Sequence, residues 1–282
     1  MPPRSSPTAR QARLGAELRK LRETSGTLAR AAGQLLGGNQ ATISHIEAGR
    51  WGVSSVRVRR LATFYGATDA QLVDELCRMA DERGKGWWVA YRGVLPVSFL
   101  DIAELEHHAS SLRSIRMLHV PGIFQTPDYA REMIRSGVSE LSTDQVDARV
   151  EHRTRRREIF QRSFPPRFEA FIHEAALRMQ YCTDKVMRSQ LELLQEVSRW
   201  PSVSIRVIPF DARITASAHS VLYACGSIPK LDTVQLDSAF EGGFLDAATH
   251  LARYRALFDA VGEIALGAAE SEKFIHRIAQ EM

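Results

Sequence analysis

Apolar residues in the first 80 positions recur at helical intervals, and glycines fall between them where helices must end or cross. Leu14, Leu18 and Leu21 stand at i, i+4 and i+7, the stripe of an amphipathic helix. In the stretch from Gly26 to Arg50, Leu36, Ile43 and Ile46 are the inward positions of two short helices joined by a tight turn. Gly33 supplies the small residue such a crossing needs, and Gly37 suits a turn position of positive φ. Asn39 is placed to cap the second helix through its side-chain oxygen. Ile43 and Ile46 share a face by the i, i+3 rule, which turns Gln40, Ala41, Ser44 and His45 outward. Val58, Leu61, Ala62 and Tyr65 repeat the apolar stripe, Gly66 stops it, and Thr68 with Gln71 reads as a capping box opening a fifth helix that carries Leu72, Leu76 and Met79. The pattern predicts five short helices over residues 12–80, preceded by a flexible arm over 1–11.

Beyond a polar, glycine-bearing stretch from Asp81 to Gly86, the periodicity becomes mixed. Trp87, Trp88 and Tyr91 read as rigid rings docking a linker, residues 81–88, onto the core of a second domain, residues 89–282, in preference to an aromatic ligand cage. Helices are expected over Asp101–Ser110, from Thr126-Pro127-Asp128 to Ser136, from the Ser142/Gln145 capping box to about Gln161, and over Lys185–Arg199, Asp246–Val261 and Ser271–Gln280. Strands are expected over Ile115–Val120, Phe168–His173, Val203–Ile208, Ser220–Ala224 and Thr233–Leu236. There is no regular strand–helix alternation. The expected fold is therefore an all-α five-helix domain followed by an α+β domain.

Charge sharpens this picture. Residues 1–60 hold eleven Lys+Arg against three Asp+Glu, whereas the remainder holds 26 against 30, so the overall +4 conceals a basic first segment of +8. Coincidence of that charge with a helix-turn-helix pattern points to phosphate backbones. The three cysteines, Cys77, Cys182 and Cys225, have neither the number nor the spacing of a disulfide framework or zinc site. No apolar run reaches membrane-spanning length and Met1–Gln11 holds no apolar signal region, so a cytoplasmic, nucleoid-associated protein is expected. Catalytic patterns fail too. His173-Glu174 lacks the second histidine of a zincin helix because position 177 is Leu, no Gly-x-Ser-x-Gly occurs, and Cys225-Gly226-Ser227 with Lys230 lacks phosphate-loop spacing. The expectation is no enzyme activity, no cofactor and no metal. Arg153, Arg155, Arg156 and Arg157 offer a grip for a phosphate or an acidic partner, but with Asp147, Glu151 and Glu158 nearby the favoured reading is a salt-laced exposed helix.

Residues 12–76 resemble the lambda-repressor-like helix-turn-helix regulators of the xenobiotic-response-element type, on the strength of the Gly26–Arg50 segment and above all Ile43-Ser44-His45-Ile46-Glu47-Ala48-Gly49-Arg50. The resemblance implies that Gln40, Ala41, Ser44 and His45 face base edges, and that Asn39, Thr42, Arg50 and Arg57 lie near phosphates. It also implies a structural Arg22–Glu47 pair alongside Gly33 and Gly37. Where the family often has a phosphate-touching glutamine this chain has Ala29, with Arg30 as the substitute. A second set of blocks is similar to the C-terminal domain of WhiJ-type, antitoxin-like actinobacterial regulators: Gly86-Trp87-Trp88, the run from Val120 to Ala130, Glu174 to Arg178, and Val207-Ile208-Pro209-Phe210. Together these imply a transcription factor that binds a double-stranded operator as a homodimer and answers to a small protein encoded nearby or to a ligand. The alternative is a module that sequesters a small partner protein and contacts DNA mainly for autoregulation.

Overall fold

Thr8 accepts from Gln11 N at 3.3 Å while the Gln11 side chain accepts from Thr8 N, and this capping box starts α1 (Ala9–Thr24). Both capping residues are buried. The arm expected over residues 1–11 therefore gives way to helix by Ala9, because a Thr-x-x-Gln cap was read as part of a polar tail. The computed structural model describes residues 7–137, 140–214, 217–237 and 243–282, so the first part of that arm lies outside the described residues. The chain divides into two units: Met1–Arg92 with Pro96–Leu105, and Gly93–Leu95 with Glu106–Met282.

In the first unit, α1 is followed by α2 (Ala29–Leu35), α3 (Gln40–Glu47), α4 (Ser55–Phe64) and α5 (Ala70–Asp81), the five expected helices. The fifth is capped differently from the expectation. Asp69, not Thr68, accepts from Leu72 N at 3.0 Å, since the helix begins at Ala70 and the residue before it is the one that reaches the amide of the third helical position. Ala32, Ile43, Leu61 and Tyr65 close the core between α2, α3 and α4.

The first unit extends past the expected linker. A 3-10 turn over Trp87–Tyr91 buries Trp88 and Tyr91, and both belong to this unit rather than to the core of the second. Asp101, near the middle of α6 (Val97–His108), accepts from Ala9 N at 2.8 Å and so closes the α1 N-terminus. Burial raises the Asp101 carboxyl to about 6 even though the Ala9 amide favours its charge.

The second unit is a six-stranded mixed sheet in the order β3-β2-β1-β4-β5-β6, comprising β1 (Ser111–Arg116), β2 (Arg167–His173), β3 (Val203–Ile208), β4 (Val221–Cys225), β5 (Thr233–Leu236) and β6 (Gly243–Leu245). The β1–β2 and β2–β3 pairs are parallel, and the other three are antiparallel. Its helices are α7 (Pro127–Arg135), α8 (Thr143–Arg155), α9 (Glu174–Arg178), α10 (Asp184–Ser198), α11 (Ala248–Ile264) and α12 (Ala268–Glu281). An α+β second unit is what the chain builds. Alternate residues of β2 show why its strands are apolar on both sides. Phe168 meets Phe124 at 5.0 Å between ring centroids, while Phe171, on the opposite face, meets Phe258 of α11 at 6.3 Å.

Several boundaries depart from the sequence pattern: α6 starts at Val97 where Asp101 was expected, α12 starts at Ala268 where Ser271 was expected, and the short α9 (Glu174–Arg178) was not expected. The strand expected at Ile115–Val120 lies at Ser111–Arg116, because Leu112, Ser114 and Ile115 pair with β2 and β4 while Val120-Pro121 turns away into a 3-10 turn at Gly122–Phe124. The helix from the Ser142/Gln145 box tightens to 3-10 at Arg156–Gln161, the carboxyl-terminal turns being drawn in by Arg156. The short edge strand β6 was not expected, since three residues carry too little periodicity to register.

His152 on α8 is wholly buried, and burial first, then Arg156 and Arg153, push its pKa down to about 3. The folded imidazole thus binds fewer protons than an unfolded one at its ordinary 6.5, so stability is full above about 6.5 and falls as pH drops toward 3. Denaturant unfolding of the second unit should lose ~2 kcal/mol from this group between pH 7 and pH 5. A His152→Leu variant should show a correspondingly flatter acid limb, and an unchanged slope would assign the pH dependence elsewhere.

Candidate nucleic-acid interface

The α2–turn–α3 geometry follows from two glycines. At Gly33 a Cβ would stand 2.4 Å from Asn39 O, so only glycine lets α2 cross the start of α3 at this distance. Gly37 holds φ +71°, where a side chain is strained, and Gly38 N then returns to Gly33 O at 2.8 Å. Asn39 Oδ1 accepts from Thr42 N at 3.1 Å, and Asn39 N donates to Thr42 Oγ1 at 3.3 Å, which completes the cap of α3.

The cap sets the rotation of α3. Ile43 and Ile46 are buried, whereas Gln40, Ala41 and Ser44 are exposed and His45 is half-buried. The exposed face is not uniform. Ser44 Oγ donates to Gln40 O at 3.1 Å, so its proton is engaged within the helix and its lone pairs face outward. The His45 ring stacks on Trp51 with centroids 4.7 Å apart and planes 20° apart, and Trp51 N donates to His45 O at 3.1 Å. Trp51 thereby fixes which imidazole edge points outward. Sequence reading passed over it, and its only signal is an aromatic residue six positions past His45, beyond the Gly49 turn.

Glu47 closes α3. Arg22 Nε donates to its Oε1 at 2.6 Å and Arg22 Nη2 to its Oε2 at 3.0 Å, a two-pronged bond between side chains that are mostly buried. Arg22 Nη1 reaches Thr27 O at 3.1 Å, so the same guanidinium ties α1 to the chain entering α2. Arg30 in the first turn of α2, Arg50 just after α3 and Arg57 in the first turn of α4 are exposed and, among the described residues, hold no salt bridge. Arg60 on α4 is likewise exposed and, among the described residues, holds no salt bridge, whereas Arg59 beside it pairs with Asp74 at 2.7 Å. Asn39 is exposed, and Thr42, half-buried, has its hydroxyl occupied by the cap.

The expected salt-laced helix at 153–157 is corrected. Arg153 Nη1 donates to Gln125 Oε1 at 2.7 Å, Arg156 Nε to Glu106 Oε2 at 2.6 Å, and Arg157 Nη2 to Gln125 O at 2.7 Å; only Arg155 forms a local pair, with Glu158 at 3.3 Å. Tertiary partners outcompete neighbours in sequence because a buried guanidinium must be satisfied while an exposed one need not be. Among the described residues no group of three or more His, Cys, Asp or Glu side chains is placed to hold a metal ion, and no helix is long and apolar enough to cross a membrane.

Residues 13–76 match the family described as Helix-turn-helix domain, and residues 99–277 match the family described as Domain of unknown function (DUF5753). No curated protein and no solved structure matches the chain.

Proposed function

We propose that this chain, which belongs to the DUF5753 family and carries a helix-turn-helix domain ahead of that region, is a sequence-specific DNA-binding transcriptional regulator of the lambda-repressor-like, xenobiotic-response-element type. The observation that carries the reading is the polar face of α3, with Gln40, Ala41 and Ser44 uncovered opposite the buried Ile43 and Ile46. Gln40 reads adenine, the Ala41 methyl contacts thymine, and Ser44 and the Trp51-braced His45 complete the base contacts. Asn39, Arg30, Arg50 and Arg57 contact phosphates, and Thr42 lies beside them with its N–H and hydroxyl both held in the cap. Two copies bind a near-palindromic operator with α3 helices about 34 Å apart. The DUF5753 region takes a small partner protein or a ligand, and that binding shifts operator affinity by favouring one arrangement of the paired α3 helices.

Selection from a pool of random duplexes with the purified full chain tests this. Enrichment of a two-fold-related site is expected. Affinity for the selected duplex should fall steeply between low and moderate salt, as counterion release requires. Gln40→Ala and His45→Ala should each reduce preference for the selected duplex over a scrambled one roughly tenfold, about 1.4 kcal/mol. A pool that stays unenriched, with salt-indifferent binding, would sink the proposal.

A further inference from the structure

Three guanidinium groups crowd one region of the second unit, Arg116 and Arg156 buried and Arg153 half-buried, beside the buried Glu106 and the exposed Asp237. Arg116, at the end of β1 and 7% exposed, donates through Nη1 to Asp237 Oδ2 at 2.6 Å. Arg156 grips Glu106 with two hydrogen bonds. Arg153 has no such partner. Its Nη1 donates to the neutral Gln125 amide oxygen, and among the described residues no carboxylate stands within ion-pair distance of it. The two histidines of the cluster do not compensate: burial lowers the pKa of both His119 and His152, and Arg153 lowers each further. A guanidinium does not shed its proton to escape burial. Burial, then Arg156, depress Arg153 to about 10, with Asp237 opposing and Arg116 adding to the fall.

The surroundings suit an incoming acceptor. A Cβ at Gly122 would lie 3.2 Å from Arg156 Nη1 and 3.7 Å from Arg153 Nε, so the glycine leaves both guanidinium groups approachable from that side. Arg116 Nε is buried without a hydrogen-bond acceptor. Ser114 on the same strand also buries its Oγ, a potential donor, without a partner. His119 and Tyr181, with ring centroids 5.5 Å apart, are each partly open to solvent and offer a way in.

We propose that Arg153, with Arg116 and Arg156, forms an oxyanion-binding site inside the DUF5753 region that takes the carboxylate or phosphate group of a small molecule. The site balances the excess positive charge with a charge-assisted, planar hydrogen-bond pair, the geometry guanidinium groups favour. It names the ligand class for the second unit and rests on the reading that this unit takes a ligand; the DNA-binding reading stands or falls separately.

The test titrates inorganic phosphate and, separately, benzoate into the full chain at constant ionic strength, followed by calorimetry and by Tm. One of the two is expected to bind saturably and to raise Tm by roughly 5–10 °C once it exceeds its Kd a hundredfold, and which one does so separates phosphate from carboxylate. Arg153→Met should lose that response and be at least as stable as the parent without the anion, since it removes a half-buried charge with no carboxylate beside it among the described residues; Arg188→Ala, an exposed arginine on α10, should respond as the parent does. Failure of both anions to bind the parent chain overturns the site, whether or not Arg153→Met folds. So does an equal response in Arg153→Met. Saturable binding that leaves affinity for the selected duplex unchanged keeps the site and removes only its coupling to DNA.

Discussion

Glu106→Leu is expected to cost the second unit about 3–5 kcal/mol, because it strands the buried Arg156 guanidinium without a counter-charge. Glu106 is 2% exposed and Arg156 8%, so neither can turn to water without opening the packing around them. A domain of this size has only about 5–15 kcal/mol in hand, so the single variant should unfold at markedly lower urea and accumulate poorly. Pairing it with Arg156→Met should recover most of the loss, since two apolar side chains of similar volume can replace a buried ion pair at little cost. Urea unfolding followed by far-ultraviolet circular dichroism gives both numbers. A single variant that loses under 1 kcal/mol, or a double variant no better than the single, would show that this pair does not hold the fold as drawn.

Gly33→Ala should destabilise the first unit by about 2–3 kcal/mol and cut operator affinity by more than tenfold at temperatures where the variant is still folded. Helix propensity alone points the other way, since alanine for glycine inside a helix is worth about 1 kcal/mol of gain. The sign is decided by the backbone. The new methyl would stand 2.4 Å from Asn39 O and 2.5 Å from Asn39 C, atoms of the turn that cannot swing aside as a side chain would. Relief requires α2 and α3 to separate, which moves Gln40 and His45 off the face set by the Asn39 cap. Gly37→Ala is the informative comparison: nothing lies within 4 Å of a Cβ there, and only its φ of +71° penalises the change. That variant should lose only about 1 kcal/mol. Thermal unfolding and duplex titration of the two variants, run together, separate the clash from the dihedral, and a Gly33→Ala protein more stable than the parent would refute the crossing geometry.

The helix-turn-helix was legible because its determinants are local. Gly33, Gly37, Asn39, Ile43 and Ile46 lie within fourteen residues, and each acts through a steric or capping rule that operates at fixed sequence spacing. The same holds for the Ser142 cap and the Thr126-Pro127 start of α7, both present as the pattern anticipates. The Thr8 cap was just as local but sat in a stretch whose proline, serine and arginine content suggested a tail, and composition misled where spacing would not have. Trp51 was missed for a different reason: its ring meets His45 across a turn, and no periodicity links the two.

By its own order of residues, then, the chain determined two things: that a basic helical unit with an outward polar face comes first, and that a mixed helix-and-strand unit follows. It did so because helices, caps and alternating strands answer to neighbours three or four positions away. Which arginines of α8 and of the 3-10 turn after it turn inward, that Arg153 has no carboxylate beside it among the described residues, and that α6 closes the first helix through Asp101 were decided only in three dimensions. Those outcomes depend on which distant charge shares a desolvated space, and electrostatic energy in such a space is set by distance and burial, quantities that linear order does not carry.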